Sequence, residues 1–268
     1  MRKRVVASAL ALVVAVSTLY AHELFIKFDT YFLEPDSEVR VLILNGTFAL
    51  SENSVTVDRV VDMALLGPDG VSPLEPEAWN ATTDTTYVTL HTGSPGTYVL
   101  GISTASRLIE LDAESFNEYL EHDGIPDILE ARRATGKLGE DAVERYSKHV
   151  KAVYQVGGTR TSGWSRALGY AAEIVPLENP YRLGAGQEFA VRCLVRGEPV
   201  ANQLVVVGGE LDGNAIEERE SRTDDEGVVR FTVDRAGKWY IKFIHMAESE
   251  EEGVDYESNW ATLTFEVR

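Results

Sequence analysis

Short runs of alternating apolar and polar residues, each closed by a turn signal, recur through most of this chain and constrain its fold more than any other feature. Glu23-Leu24-Phe25-Ile26-Lys27-Phe28, Val39-Arg40-Val41-Leu42-Ile43-Leu44, Tyr87-Val88-Thr89-Leu90 and Thr97-Tyr98-Val99-Leu100 carry the period of two of a half-buried strand. Between them stand Glu34-Pro35-Asp36, Gly67-Pro68-Asp69-Gly70 and Gly93-Ser94-Pro95-Gly96, rich in residues that preset turn geometry. Repeated short strands with this punctuation predict an antiparallel sandwich over residues 22–111.

The period then changes. Phe116, Tyr119 and Leu120 recur at helical spacing, Ile128 and Leu129 follow Pro126, and Tyr146, His149, Val150 and Val153 fall on one helical face. These patterns predict a helical insertion at about residues 112–156, with Glu144 and Lys148 paired on its surface. Gly157-Gly158-Thr159-Arg160-Thr161-Ser162-Gly163 reads as a flexible or ligand-facing loop. Alternation returns in Phe189, Val191, Cys193 and Val195, in the runs 203–207 and 228–233, and around Trp239 and 261–267. The predicted architecture is therefore mainly β: two β-sandwich domains, residues 22–170 and 171–268, the second immunoglobulin- or transthyretin-like.

At the N-terminus, basic Met1-Arg2-Lys3-Arg4 precedes an apolar run, residues 5–19, broken only by Ser and Thr. It is shorter than the roughly 20 residues of a membrane span but suits a signal peptide over residues 1–21, cut after Ala21. A cut after Ser17 and a retained anchor are the alternatives. The expected location is periplasmic or secreted, with no transmembrane segment in the mature chain. Removing Arg2, Lys3 and Arg4 leaves 22 basic against 43 acidic residues, a net charge of −21, which disfavours nucleic acid as a partner. Cys193 is the only cysteine, so no intrachain disulfide forms, and its alternation points it into a core.

Several motifs in fixed order carry a family resemblance. They are Ala21-His22-Glu23-Leu24-Phe25, Phe116-Asn117-Glu118-Tyr119-Leu120, Ala131-Arg132-Arg133, the run from Glu144 to Ala152, Gly237-Lys238-Trp239, Ile244-His245-Met246 and Trp260-Ala261-Thr262-Leu263-Thr264-Phe265. Together they resemble the bacterial family catalogued as domain of unknown function 4198, across essentially the whole mature chain. The resemblance implies an exported protein, with nickel or cobalt uptake as an accessory role and a membrane uptake complex as a partner.

Among the residues themselves, His22 is the sharpest candidate. Cleavage after Ala21 would give it a free α-amine beside its imidazole, a chelating pair suited to copper, nickel or zinc. His245 is the candidate second ligand, with Glu248, Asp255 and Glu257 of the acidic stretch after it, and His122, as weaker ones. The plainer alternatives are a polar strand start for His22, a packed histidine for His245 and a solvated face for the acidic run. His149 reads as a packing residue, and His91 as structural or exposed.

No nucleophile elbow, phosphate-cradling loop or His-Glu-x-x-His pair is present, so no catalytic residue is nominated. Trp164, Trp239 and Trp260, with Tyr240 and Tyr256, are candidates to line a glycan or peptide groove, although tryptophans also plug cores. The function expected is non-catalytic handling of a divalent metal, nickel or cobalt by resemblance, copper or zinc by ligand chemistry. The alternative is a binding module for an envelope glycan, peptide or protein. A weaker alternative is a copper oxidoreductase using the amino-terminal histidine.

Overall fold

Alternation becomes strand where one face of a segment meets the core and the other meets solvent. The computed structural model describes residues 22–268, so the expected signal peptide lies outside the described residues. The chain opens with β1 (Glu23–Lys27), β2 (Phe32–Leu33), β3 (Glu38–Gly46), β4 (Val60–Gly67), β5 (Gly70–Pro73), β6 (Trp79–Ala81), β7 (Thr86–His91), β8 (Gly96–Thr104) and β9 (Arg107–Leu111). Helices α1 (Ala113–His122) and α2 (Pro126–Thr135) follow, then β10 (Ala142–Val156). The remainder holds β11 (Ala172–Pro176), β12 (Gln187–Val195), β13 (Glu198–Pro199), β14 (Leu204–Leu211), β15 (Asn214–Arg222), β16 (Val228–Val233), β17 (Gly237–Glu248) and β18 (Tyr256–Val267). The protein is mainly β, with one small helical insertion.

A ten-stranded sheet organises the molecule. Its order is β15-β14-β17-β18-β10-β8-β4-β5, with β2 and β9 also on β10, so it draws strands from both sides of residue 170. At its middle β10 and β18 run parallel, Glu144 opposite Tyr256 through Ala152 opposite Thr264. A small sheet β1-β3-β7-β6 covers one face: Thr262 and Thr264 donate to the carbonyls of Leu24 and Ile26, and Phe28 packs 4.9 Å from Tyr154. The third sheet, β11-β12-β13 with β16, covers the other face, where Phe189 lies 4.9 Å from Phe265. Cys193 is fully buried in that layer, as its alternation predicts.

The helical prediction holds for its first two stretches and fails for the third. Asp112 caps α1 by accepting from the Ser115 amide at 2.8 Å, and the helix buries Phe116, Tyr119 and Leu120. Pro126 opens α2, which stops at Gly136 in the left-handed region, φ 76°. Residues 142–156, however, form the fifteen-residue strand β10 rather than a helix. The physical reason is burial on both faces: every residue from Lys148 to Val156 is buried, which erases the alternation that marks a strand. Glu144 and Lys148 consequently form no helix-surface pair. They are 1% and 6% exposed, and four residues along a strand separate them by about 13 Å.

Candidate functional site

The structure does not bring His22 and His245 together. His245 stands opposite Asn259 in β18, and Asn259 stands opposite Ser147 in β10, so these three side chains share one face of the large sheet. His22 lies over the opposite face, where the Lys148 ammonium donates to its carbonyl. The sheet itself separates the two imidazoles. His245 is half-buried with Nδ1 3.2 Å from Gln203 Oε1, and burial and Arg196 lower its pKa.

The weaker candidates have partners of their own. Lys137 donates to Glu248 at 3.0 Å, Arg196 to Glu257 at 2.9 Å, and the Val143 amide to Asp255 at 2.8 Å. Glu251 takes a two-pronged contact from Arg145, so the acidic loop is tied down by cations and backbone donors. His122 is exposed at the end of α1. Among the described residues no three His, Cys, Asp or Glu side chains are grouped to hold a metal ion. His149 is buried in β10 between Ser103 and Ser147, at 2.9 and 3.1 Å.

What His22 does border is a polar cleft of about 290 Å3 between β3, the segment 53–59, β9 and the edge of β10. Its walls include Arg59, Arg107, Lys148 and His22 and no carboxylate. Acidic groups stay at the rim. Glu52 pairs with His22, Oε2 to Nε2 at 2.6 Å, and the exposed Asp58 is held below the usual carboxylate range by Thr56 and, more weakly, by Arg107 and Arg59. The buried Arg59 Nε has no hydrogen-bond partner. Lys148 reaches the cleft from the sheet, between the Tyr146 and Trp260 rings at 5.7 and 5.3 Å.

Behind Lys148 lies a chamber of about 20 Å3, room for about one water molecule. Glu23, Asp123, Lys148 and Lys242 meet there, and Lys242 pairs with Glu23 and with Glu218, the latter at 2.9 Å. Burial, and then Arg59, pull the Lys148 pKa down to about 8, against the opposing pull of Glu23, Asp123 and Glu144. Burial pushes the Asp123 carboxyl up to about 7, with Glu23 adding to it, and pushes Glu144 to about 7 against hydrogen bonds from Ser258 and Tyr119. Lys148 thus links an open cationic cleft to an enclosed group of carboxyls.

Neither Lys148 nor Arg59 and Arg107 stands out from the sequence as a site residue. The available signal was the pair Lys148 and Lys151 inside the mostly apolar run to Val156, charges that a buried strand must neutralise. Four of the five aromatic groove candidates are buried, Trp239, Trp260, Tyr240 and Tyr256, and Trp164 alone is partly open.

The family model described as Domain of unknown function (DUF4198) matches residues 19–247. No curated protein matches the chain. Solved structures similar to it include the D0-D1 domain of intimin, 11% identical over 91% of this chain and 97% of that one, with a TM-score of 0.22. A DUF4785 family protein from Legionella pneumophila is 14% identical over 81% of this chain and 50% of that one, TM-score 0.26. Trypsin-activated alpha-2-macroglobulin from Escherichia coli is 10% identical over 92% of this chain and 16% of that one, TM-score 0.25. Likenesses this weak support no argument about function. Among the described residues no helix is long and apolar enough to cross a membrane.

Proposed function

We propose, from the premise that this chain belongs to the DUF4198 family, that it is a non-catalytic, exported β-sandwich binding module whose cleft under His22 takes an anionic group. The observation that carries this reading is the lining: two arginines, a lysine and a histidine without a carboxylate, in a chain of formal net charge −18. A field of that sign repels anions at long range, so only a local cationic cluster can hold one. Arg59 and Arg107 offer planar donor forks, and the free Arg59 Nε is a donor that bound oxygen would satisfy. An anion beside Lys148 would also restore the protonated ammonium that burial disfavours.

Calorimetric titration of residues 22–268 with inorganic phosphate and with glucuronate tests this. Lys148→Met and Arg107→Gln should each weaken the affinity about tenfold or more, the worth of one charge-assisted hydrogen bond. At pH 8 binding should take up as much as about half a proton, read from buffers of different ionisation enthalpy, because Lys148 is then half charged. Affinities untouched by both substitutions would remove the cleft from the function.

A second reading keeps a divalent metal at His22, with Glu52 rather than His245 as its neighbour, because their side chains already meet at 2.6 Å. The amine released by cleavage after Ala21 would be the third donor, and nickel, cobalt, copper and zinc all accept such a set. Protein beginning at His22 should then bind one of these ions far more tightly than protein with one extra alanine in front. Equal affinities would end this reading and leave the anion cleft standing.

A further inference from the structure

A second cleft, of about 710 Å3, lies where the chain between β10 and β11 passes the β4–β5 turn. Arg160, Arg166 and Arg182 line it with Trp164, again with no carboxylate in the walls. Half of the sixteen described arginines are ion-paired, and these three are not. Eight described arginines have a carboxylate within 4.0 Å: Arg133, Arg145, Arg192, Arg196, Arg222, Arg230, Arg235 and Arg268. Arg166 and Arg182 are exposed and make no ion pair or side-chain hydrogen bond with any described residue. In a chain with 43 acidic residues, three arginines that line one cleft with no carboxylate in its walls form a local anion trap.

Trp164 adds the second observation. Trp79, Trp239 and Trp260 each bury the indole and donate Nε1–H, to Val55 O, Arg235 O and Ser258 Oγ. Trp164 is half-buried, rests one side on the core and leaves its Nε1–H without a described partner. The loop that carries it is held in place. Thr161 Oγ1 accepts from the Thr97 amide at 3.0 Å, and Arg160 Nε donates to the Tyr181 carbonyl at 2.6 Å. An anchored, half-exposed indole with a free donor suits a flat, partly apolar ligand that also accepts hydrogen bonds.

We infer that this cleft binds an acidic saccharide, its ring against the Trp164 indole and its carboxylate on the guanidinium groups of Arg166 and Arg182. A pyranose presents an apolar C–H face and a rim of hydroxyls, and a uronate adds an oxygen pair that matches the arginine fork. An acidic peptide would use the arginines but has no need of the indole. Two observations independent of the His22 cleft carry this assignment, so either site stands or falls without the other.

The test is equilibrium binding of oligogalacturonate to residues 22–268, beside a maltooligosaccharide of equal length and poly-glutamate. Oligogalacturonate should bind, more weakly as salt rises, and the neutral sugar should not. Arg166→Gln with Arg182→Gln, and separately Trp164→Ala, should each lower that affinity tenfold or more. Arg133→Gln with Arg235→Gln removes the same charge elsewhere and should leave it unchanged. Thermal unfolding checks that each variant folds, and all four arginines are exposed. Equal binding of the neutral sugar, oligogalacturonate binding indifferent to either cleft variant, or poly-glutamate binding weakened by Trp164→Ala as much as oligogalacturonate binding would overturn the assignment.

Discussion

Glu144 is 1% exposed in β10, with Oε1 accepting from the Tyr119 hydroxyl at 3.0 Å and from Ser258, while Oε2 has no partner. Such a carboxyl binds its proton more tightly folded than unfolded, and its pKa rises from the ordinary 4.5 to about 7; Asp123 nearby rises from 3.8 to about 7. Between about pH 4 and pH 7 the folded state therefore holds more protons than the unfolded one, and stability falls as pH rises. Lys148 works in a different window. Its pKa is depressed to about 8, so its destabilising effect grows as pH falls from 10.5 to 8 and is constant below. Glu144→Gln should therefore raise stability at pH 8 by on the order of 1–3 kcal/mol and change little at pH 5. Thermal unfolding at the two pH values checks it; an equal gain at both would mean that relief of packing, not of charge, is responsible. The role of Glu144 was hidden in the sequence, because a carboxylate four residues before a lysine looks the same on a solvated helix as in a buried strand. Cys193 was legible because its neighbours alternate, which fixes the inward face without tertiary knowledge, whereas Trp239, a groove candidate in the sequence, is fully buried.

At the scale of elements, β10 explains both the success and the failure of pattern reading. Strands with one wet face, such as β3 and β7, show their alternation openly and lie close to where it places them. β10 is covered by β1 on one side and β11 on the other, so its residues answer to two layers and show no period of two. Two lysines in it face opposite layers. Lys148 faces the cleft, and Lys151, 1% exposed, meets Glu173 of β11 at 3.1 Å, while that carboxylate also accepts from the Leu168 and Gly169 amides. Lys151→Met leaves Glu173 buried and uncompensated, which should cost about 3–5 kcal/mol. Adding Glu173→Gln removes the charge and keeps an acceptor oxygen for one of the two amides, so the double variant should recover part of the loss. Urea unfolding of the four proteins in a double-mutant cycle measures the coupling; a double variant as unstable as the sum of the singles would show that the pair is not the cause.

For the whole molecule, the order β17-β18-β10-β8 decides how stability is shared. β10 has its long parallel ladder with β18, the last strand of the chain, and β18 has its other ladder with β17. A period-two pattern carries no information about partners more than a hundred residues apart, so this joint was not visible in the sequence. One connected core cluster spans residues of all three sheets, from Leu24 in β1 through Val153 in β10 and Phe189 in β12 to Val267 in β18. A fragment of residues 22–170 would expose the β10 edge and the apolar face that β18 and the third sheet cover, an edge open to pairing with other chains. The full protein should accordingly unfold in one transition, with far-ultraviolet circular dichroism and tryptophan fluorescence coinciding along a urea series, although its length alone would favour several. Residues 22–170 expressed alone should lack sheet signal or aggregate. Two resolved transitions in the full chain, together with a folded monomeric fragment, would place the cooperative boundary between the halves instead of around the shared sheet.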